Sequence, residues 1–383
     1  VLDLLKNIDM NEQLLANKKH SKSAFLKRVI VGIIISIFVI MPIFFLSKNA
    51  TKEPVKRAED MQKTSSEPLD FRPLSPNRQI LMTAFLVQTD QDSVASFKQQ
   101  AEKIDIVFPD WFSLTQGSCE IDEHIDREIK QTLVESGVRI MPRIANVSNG
   151  IWRTEATQKV IHDSVQRSCL AKKLSDLIER ENVYGLNLDL EALMPGDRED
   201  FLIFVSELAD HLHKNNRFLT IDVPPSNPAF DLKHLSEVVD GVILMAYDEH
   251  YQGGTAGPIA SQNFYTQSLN SVLQEVPPGK LVVALGNYAY DWNLTNANTG
   301  SLEFNQVMKL ANKTRQIPER DQQSGNMKFK YQDENNHEHE VWFLNVNTFT
   351  SQKEEAEKLN PVGFSLWRLG SEDPAIWDRP QSE

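Results

Sequence analysis

The sequence predicts an α/β protein: a TIM-type barrel of eight parallel strands, preceded by one N-terminal transmembrane helix. Three observations predict it. Eight short apolar runs alternate with helical patterns over about 300 residues. No glycine-rich phosphate loop interrupts them, which favours the barrel over its competitor, a doubly wound open sheet. One further apolar run of 18 residues stands apart from the rest.

Taken in order, residues 1–28 read as a basic cytoplasmic tail with net charge +3. Residues 29–46 (VIVGIIISIFVIMPIFFL) carry no charge. As a helix they would span about 27 Å, close to the hydrocarbon core of a bilayer. Lys27 and Arg28 precede the run, so the positive-inside rule places the N-terminus in the cytoplasm and the barrel outside. A cleaved signal peptide is the rival reading. The run is long for one, sits late, and no A-x-A-like site follows closely. Residues 47–78, with Pro54, Pro68, Pro73 and Pro76, read as a flexible linker.

Residues 79–383 form the expected barrel and carry a net charge of -18, against -13 for the whole chain. Such an acidic surface argues against a nucleic-acid partner. Hydrophobic residues make up 40% of the 383, enough for a large core and against wholesale disorder. Strands are expected at 79–87, 104–108, 138–144, 185–191, 218–223, 241–247, 281–288 and 363–369. Helices are expected at 93–102, 122–136, 157–180, 198–214 and 262–275. Cys119 and Cys169 are the only cysteines, so one bridge is the most the chain can form.

The fourth strand carries the chemistry. In Gly185-Leu186-Asn187-Leu188-Asp189-Leu190-Glu191, side chains alternate with period two. The leucines share one face, suited to packing under helices. Asn187, Asp189 and Glu191 share the other, which would point into the lumen and climb toward the C-terminal rim, where barrel active sites sit. Three buried polar residues in a row are costly without partners. Two close carboxyls push their titrations apart and keep one protonated near neutrality. Glu191, nearest the rim, is the natural general acid, with Asp189 close enough to share its proton. An Asp/Asn/Glu metal site is the other chemical reading, and solvated alternation on an edge strand the bland one.

Here the residues resemble a known family. Tyr184 to Glu191 is similar to the D-x-x-D-x-D-x-E signature of glycoside hydrolase family 18, the chitinase-like barrels. Met245-Ala246-Tyr247-Asp248 resembles that family's M-x-Y-D, and Gly363 to Pro374 its closing tryptophan strand. Tyr184 and Asn187 depart from the signature's first two Asp positions. Asn at the second is familiar among bacterial members acting on cell-wall or exopolysaccharide glycans. The resemblance implies a cofactor-free, metal-free glycosidase for polymers of β-linked N-acetylhexosamine, such as chitin, peptidoglycan or exopolysaccharide. Glu191 would protonate the glycosidic oxygen while the substrate's own acetamido group acts as nucleophile. Asp189 would orient that group, Tyr247 would hydrogen-bond its carbonyl, and Trp367 would floor the sugar. Asn187, Met245 and Asp248 would line the site.

Further candidates occupy rim-like positions: Asn146, Asp222, Asn287 and Tyr288 as groove-lining residues, and Trp111 as a stacking platform. His337-Glu338-His339-Glu340 is read as a solvated loop rather than a metal site, for want of a third ligand at a diagnostic spacing. Segments 84–93, 285–292, 339–344 and 367–374 resemble one group of bacterial membrane proteins. There a family 18 domain precedes polysaccharide deacetylase and family 2 glycosyltransferase domains. That likeness implies an inner-membrane protein, its barrel periplasmic or at the cell surface, with further domains C-terminal to this chain. Thr89 stands where the group has an aromatic. The alternative reading is a non-catalytic glycan-binding module of a polysaccharide synthesis or modification complex.

Overall fold

The computed structural model describes residues 71–75 and 79–378. The eight expected strands are present as Leu81–Leu86, Ile106–Pro109, a third at 139–145, Gly185–Asp189, Phe218–Val223, Gly241–Met245, Leu281–Gly286 and Gly363–Trp367. They are called strands one to eight. The third is broken at Met141–Pro142 into Arg139–Ile140 and Arg143–Ala145. Proline has no N–H to give to a ladder, and the break falls at it. The lower piece pairs with strand two and the upper piece with strand four, all parallel. Strand one pairs with strands two and eight, and strand eight with strand seven. Strands four to seven pair parallel in order, so the eight strands form a TIM-like ring.

Alternation sorts the side chains. Leu186, Leu188 and Leu190 join Leu219, Ile221, Val242, Leu244 and Val283 in the outer core beneath the helices. Phe85, Phe108, Met141, Phe218, Ile243, Met245 and Tyr247 pack in a separate inner cluster. Gly185 starts strand four because an added Cβ would stand 2.3 Å from the Phe218 carbonyl.

Helices follow most strands. Asp90, Asp126 and Asp163 each cap one, accepting from the first free backbone amides. The expected helix at 157–180 is two, Thr154–Ile161 and Ser164–Glu181, because the Asp163 cap starts a second one. A disulfide joins Cys119, in the segment after strand two, to Cys169 on the second of these helices.

Two expectations need correction. Between strands seven and eight lies an antiparallel sheet of Ala289–Asn293, Thr299–Leu302, Glu319–Arg320, Met327–Gln332 and Glu338–Phe343, with helix Phe304–Lys313 against it. The supposed loop 337–340 runs into its last strand. His339 stacks on Tyr331 at 4.6 Å and bonds Asp291 at 2.8 Å, so the sheet's own packing accounts for it. The inner-membrane localisation of the chain, with its barrel outside, is the second correction. No helix among the described residues is long and apolar enough to cross a membrane. The longest, Ser164–Glu181, carries Arg167, Lys172, Lys173, Asp176 and Arg180. The run at 29–46 and the tail at 1–28 lie outside the described residues, as does most of the linker.

Candidate active site

Strand four raises its polar row through the lumen. Asn187, wholly buried, donates to Thr220 Oγ1 at 3.1 Å and to Asp222 Oδ1 at 2.9 Å on strand five. One layer up, Asp189 Oδ2 accepts from Arg143 Nε at 2.6 Å, and a terminal guanidinium nitrogen of Arg143 closes on the same oxygen. Asp189 Oδ1 is buried with no hydrogen-bond partner among the described residues. Glu191 follows at the rim and is only half-buried. Asp189 thus bonds Arg143 rather than sharing a proton with Glu191; the two carboxyls interact through space.

That interaction matters for Glu191. Burial, then the charges of Asp189, Asp222 and Asp248, hold its carboxyl well above the usual glutamate range, while Arg143 pulls the other way. Asp222 is likewise well above its usual range, from burial and the neighbouring Asp189. Tyr247, at the end of strand six, is buried among these carboxylates and keeps its hydroxyl proton far into the alkaline range. Gly286 makes room for it: a Cβ there would stand 2.8 Å from Tyr247 Cβ.

Trp367 ends strand eight half-buried over the lumen. Its ring meets Phe85 at 5.1 Å, and the Arg143 guanidinium lies 5.1 Å from its centre. Beside this point a cleft of about 610 Å³ opens over the ends of the first three strands. Gln88, Thr89, Asp110, Phe112, His124 and Arg143 line it, whereas Glu191 does not.

The remaining expected residues separate into groups. Met245 packs in the lumen beneath the site. Asp248, at φ 59°, accepts from the hydroxyls of Tyr288 and Tyr290, which continue an edge-to-face aromatic row from Tyr247. Asn287 is buried and donates to the Arg368 carbonyl at 3.1 Å, tying strand seven to the cis Trp367–Arg368 peptide.

Asn146 is wholly buried and not in the groove. Its Nδ2 donates to the Glu191 carbonyl and its Oδ1 accepts the Glu191 N–H, both at 2.9 Å. Trp111 is not a sugar platform either. The chain turns back after strand two, and the indole is wholly buried in the outer core. Tyr184 closes the other end of the lumen, stacked on Phe218 at 4.5 Å with the Arg139 guanidinium 5.1 Å from its ring.

Arg143 is the residue the sequence reading missed. The signal was there: Arg139, Met141 and Arg143 share one face of an otherwise apolar strand. Among the described residues, the one cluster with metal-ligand spacing is Asp90, Asp92 and Glu303. Arg368 already pairs with two of them.

A ring of parallel strands carrying an acidic pair at the rim of strand four defines a class, the barrel glycosidases. Residues 59–372 match the model of the glycosyl hydrolases family 18, and the chain belongs to that family of glycosidases. It is 26% identical over 246 residues to an uncharacterized glycosylase of Bacillus subtilis, YvbX, covering 61% of this chain and 72% of that one. It is 27% identical over 254 residues to the cortical fragment-lytic enzyme of the same organism, covering 62% and 58%. It thus spans less than two thirds of this second relative. Chitinase from Chromobacterium violaceum superposes with a TM-score of 0.72 at 24% identity, over 78% of this chain and 97% of that one, a likeness of fold.

Proposed function

We propose that the barrel hydrolyses β-linked N-acetylhexosamine polymers by substrate-assisted retention, with Glu191 as general acid. The observation that carries this is the place of Glu191 at the rim of strand four directly above Asp189, where burial and the Asp189 charge hold its carboxyl well above the usual glutamate range. A carboxyl that keeps its proton near neutrality can give it to a leaving glycosidic oxygen. Retaining glycosidases of most families place a second carboxylate as nucleophile; family 18 instead uses the substrate's acetamido oxygen.

The surrounding residues suit that chemistry. Asp189, ion-paired and with Oδ1 unpartnered, would accept the acetamido N–H. That contact strengthens as the oxazolinium cation develops. Tyr247 would donate to the acetamido carbonyl. Trp367 would lie under the sugar ring, and Met245, Tyr288 and Asp248 would shape the wall behind Tyr247. Asn187 would act from below, holding Asp222.

The glycan is proposed as a β-linked N-acetylglucosamine polymer of the chitin or peptidoglycan kind; the relative named as a cortical fragment-lytic enzyme favours the second. Association with deacetylase and glycosyltransferase domains rests on the sequence resemblance of 285–292, 339–344 and 367–374. The second reading, a glycan-binding module without turnover, is favoured by Tyr184 and Thr89 at positions where the family has other residues.

The test is hydrolysis of an N-acetylglucosamine oligomer and of peptidoglycan by the full chain and by Glu191→Gln. Loss of general acid catalysis costs about 100- to 10,000-fold. Equal rates would remove Glu191 from the mechanism. Glycan binding by a wild-type chain that turns nothing over would favour the binding module.

A further inference from the structure

We propose that Arg143 is a positioning residue of the reaction, fixing Asp189 in the one orientation that leaves Oδ1 free to receive the substrate's acetamido N–H. The inference deepens the functional reading above and rests on it.

Three observations carry it. First, both interacting nitrogens of Arg143 converge on one oxygen of Asp189 rather than forking across two. A side-by-side fork would satisfy both oxygens and is the usual geometry for such a pair. Here Oδ1 is left buried with no partner among the described residues, a costly state. Second, the next polar group down the row is engaged elsewhere. Asn187, next down the row, spends its amide on Thr220 and Asp222. Third, the guanidinium is itself held. It also lies over the Trp367 ring, 5.1 Å from its centre, so the side chain links the residue proposed to orient the acetamido group with the one proposed to floor the sugar.

Arg139 lies two residues below Met141 on the same strand as Arg143. Both arginines share a face of strand three. Arg139 sits at the closed end against Tyr184, away from the acidic row. Arg143 is level with it: its Cα pairs with Asn187, and that of Ala145 with Asp189. The arrangement also separates two jobs. Asp189 is committed to Arg143, and Glu191, whose carboxyl takes no hydrogen bond among the described residues, is left to carry the proton.

The experiment compares the full chain with Arg143→Lys and Arg143→Met on an N-acetylglucosamine oligomer, measuring kcat, KM and the pH profile of kcat/KM. Thermal melting is followed beside it. Arg143→Met is expected to lower kcat about 100-fold with KM changed less than about threefold, the cost of misplacing a reacting group by about 1 Å. Lysine keeps the charge but not the planar group and is expected to recover about tenfold of that loss. The charged groups facing Glu191 are Asp189, Asp222, Asp248 and Arg143, and only Arg143 favours its ionised form. Removing that charge raises Glu191 further, so the alkaline limb of the profile moves to higher pH in Arg143→Met and stays in place in Arg143→Lys.

A merely structural arginine would lower the melting temperature and cut kcat equally in both variants, lysine recovering nothing; that result overturns the inference. So does wild-type kcat in Arg143→Met. Either outcome, with an active wild type and an inactive Glu191→Gln, leaves the general-acid assignment standing. An inactive wild type overturns both.

Discussion

Asn146→Ala tests how the general acid is held. The Asn146 amide is wholly buried and grips the Glu191 backbone twice, donating to its carbonyl and accepting its N–H, each at 2.9 Å. A third bond, to Thr157 Oγ1, anchors the amide from behind. Alanine removes both grips. Each buried backbone group left unpaired costs about 1–3 kcal/mol, and Glu191 is close enough to solvent for water to recover part of it, so about 3 kcal/mol is expected. For a barrel of this size that is a fall in melting temperature of about 6 °C. The same loss lets the strand end drift, and a displacement of about 1 Å costs kcat up to about 100-fold. Thermal melting and steady-state hydrolysis of an N-acetylglucosamine oligomer read both effects. Asn146→Asp keeps an acceptor for the Glu191 N–H but sets an oxygen against its carbonyl, and is expected to fall as far. A raised KM with kcat intact would mark Asn146 as a sugar-contacting residue and refute the reasoning.

Three further outcomes are expected. Glu191 must be protonated to act as an acid, and its carboxyl is raised; activity is therefore retained above the ordinary glutamate range and lost only as pH rises through that raised value, so a kcat/KM profile with its alkaline limb near the usual glutamate pKa would contradict the assignment. Tyr184→Asp, which restores the family's residue, is expected to destabilise the chain by about 3 kcal/mol or more rather than raise its activity, because it places a carboxyl where a ring now stacks on Phe218; urea denaturation measures it. Reducing the Cys119–Cys169 bridge, which closes a separation of 50 residues, is expected to cost about 4 kcal/mol, read as a lower melting temperature in dithiothreitol that the double Cys→Ala variant reproduces.

Most of the barrel was legible because its signals are local. Apolar runs of four to eight residues mark strands wherever they lie. The inserted sheet was not: Met327–Gln332 reads MKFKYQ and Glu338–Phe343 begins EHE, strands with polar residues on an exposed face, and such stretches look like loops. The split of strand three also escaped, although Pro142 announces it. Trp111 and Asn146 were both placed at the rim from their positions after strands two and three. Both are at strand ends, as expected, but a turn sends one into the outer core and a pair of backbone bonds claims the other.

The sequence by itself determined the acidic row. Period-two alternation is a property of seven consecutive residues, so Asn187, Asp189 and Glu191 share a face in any strand they form, and the leucines between them require the other face to be buried. It also determined that Tyr247 and Trp367 stand at strand ends. Only the tertiary structure decided what each of these groups touches. Arg143 reaches Asp189 from 46 residues away and Asn146 reaches Glu191 from 45. Those contacts depend on the register between strands three and four, where a shift of one residue would turn Arg143 out of the lumen. Burial and the charges gathered there, not the identity of Glu191 alone, raise its carboxyl above the ordinary glutamate range.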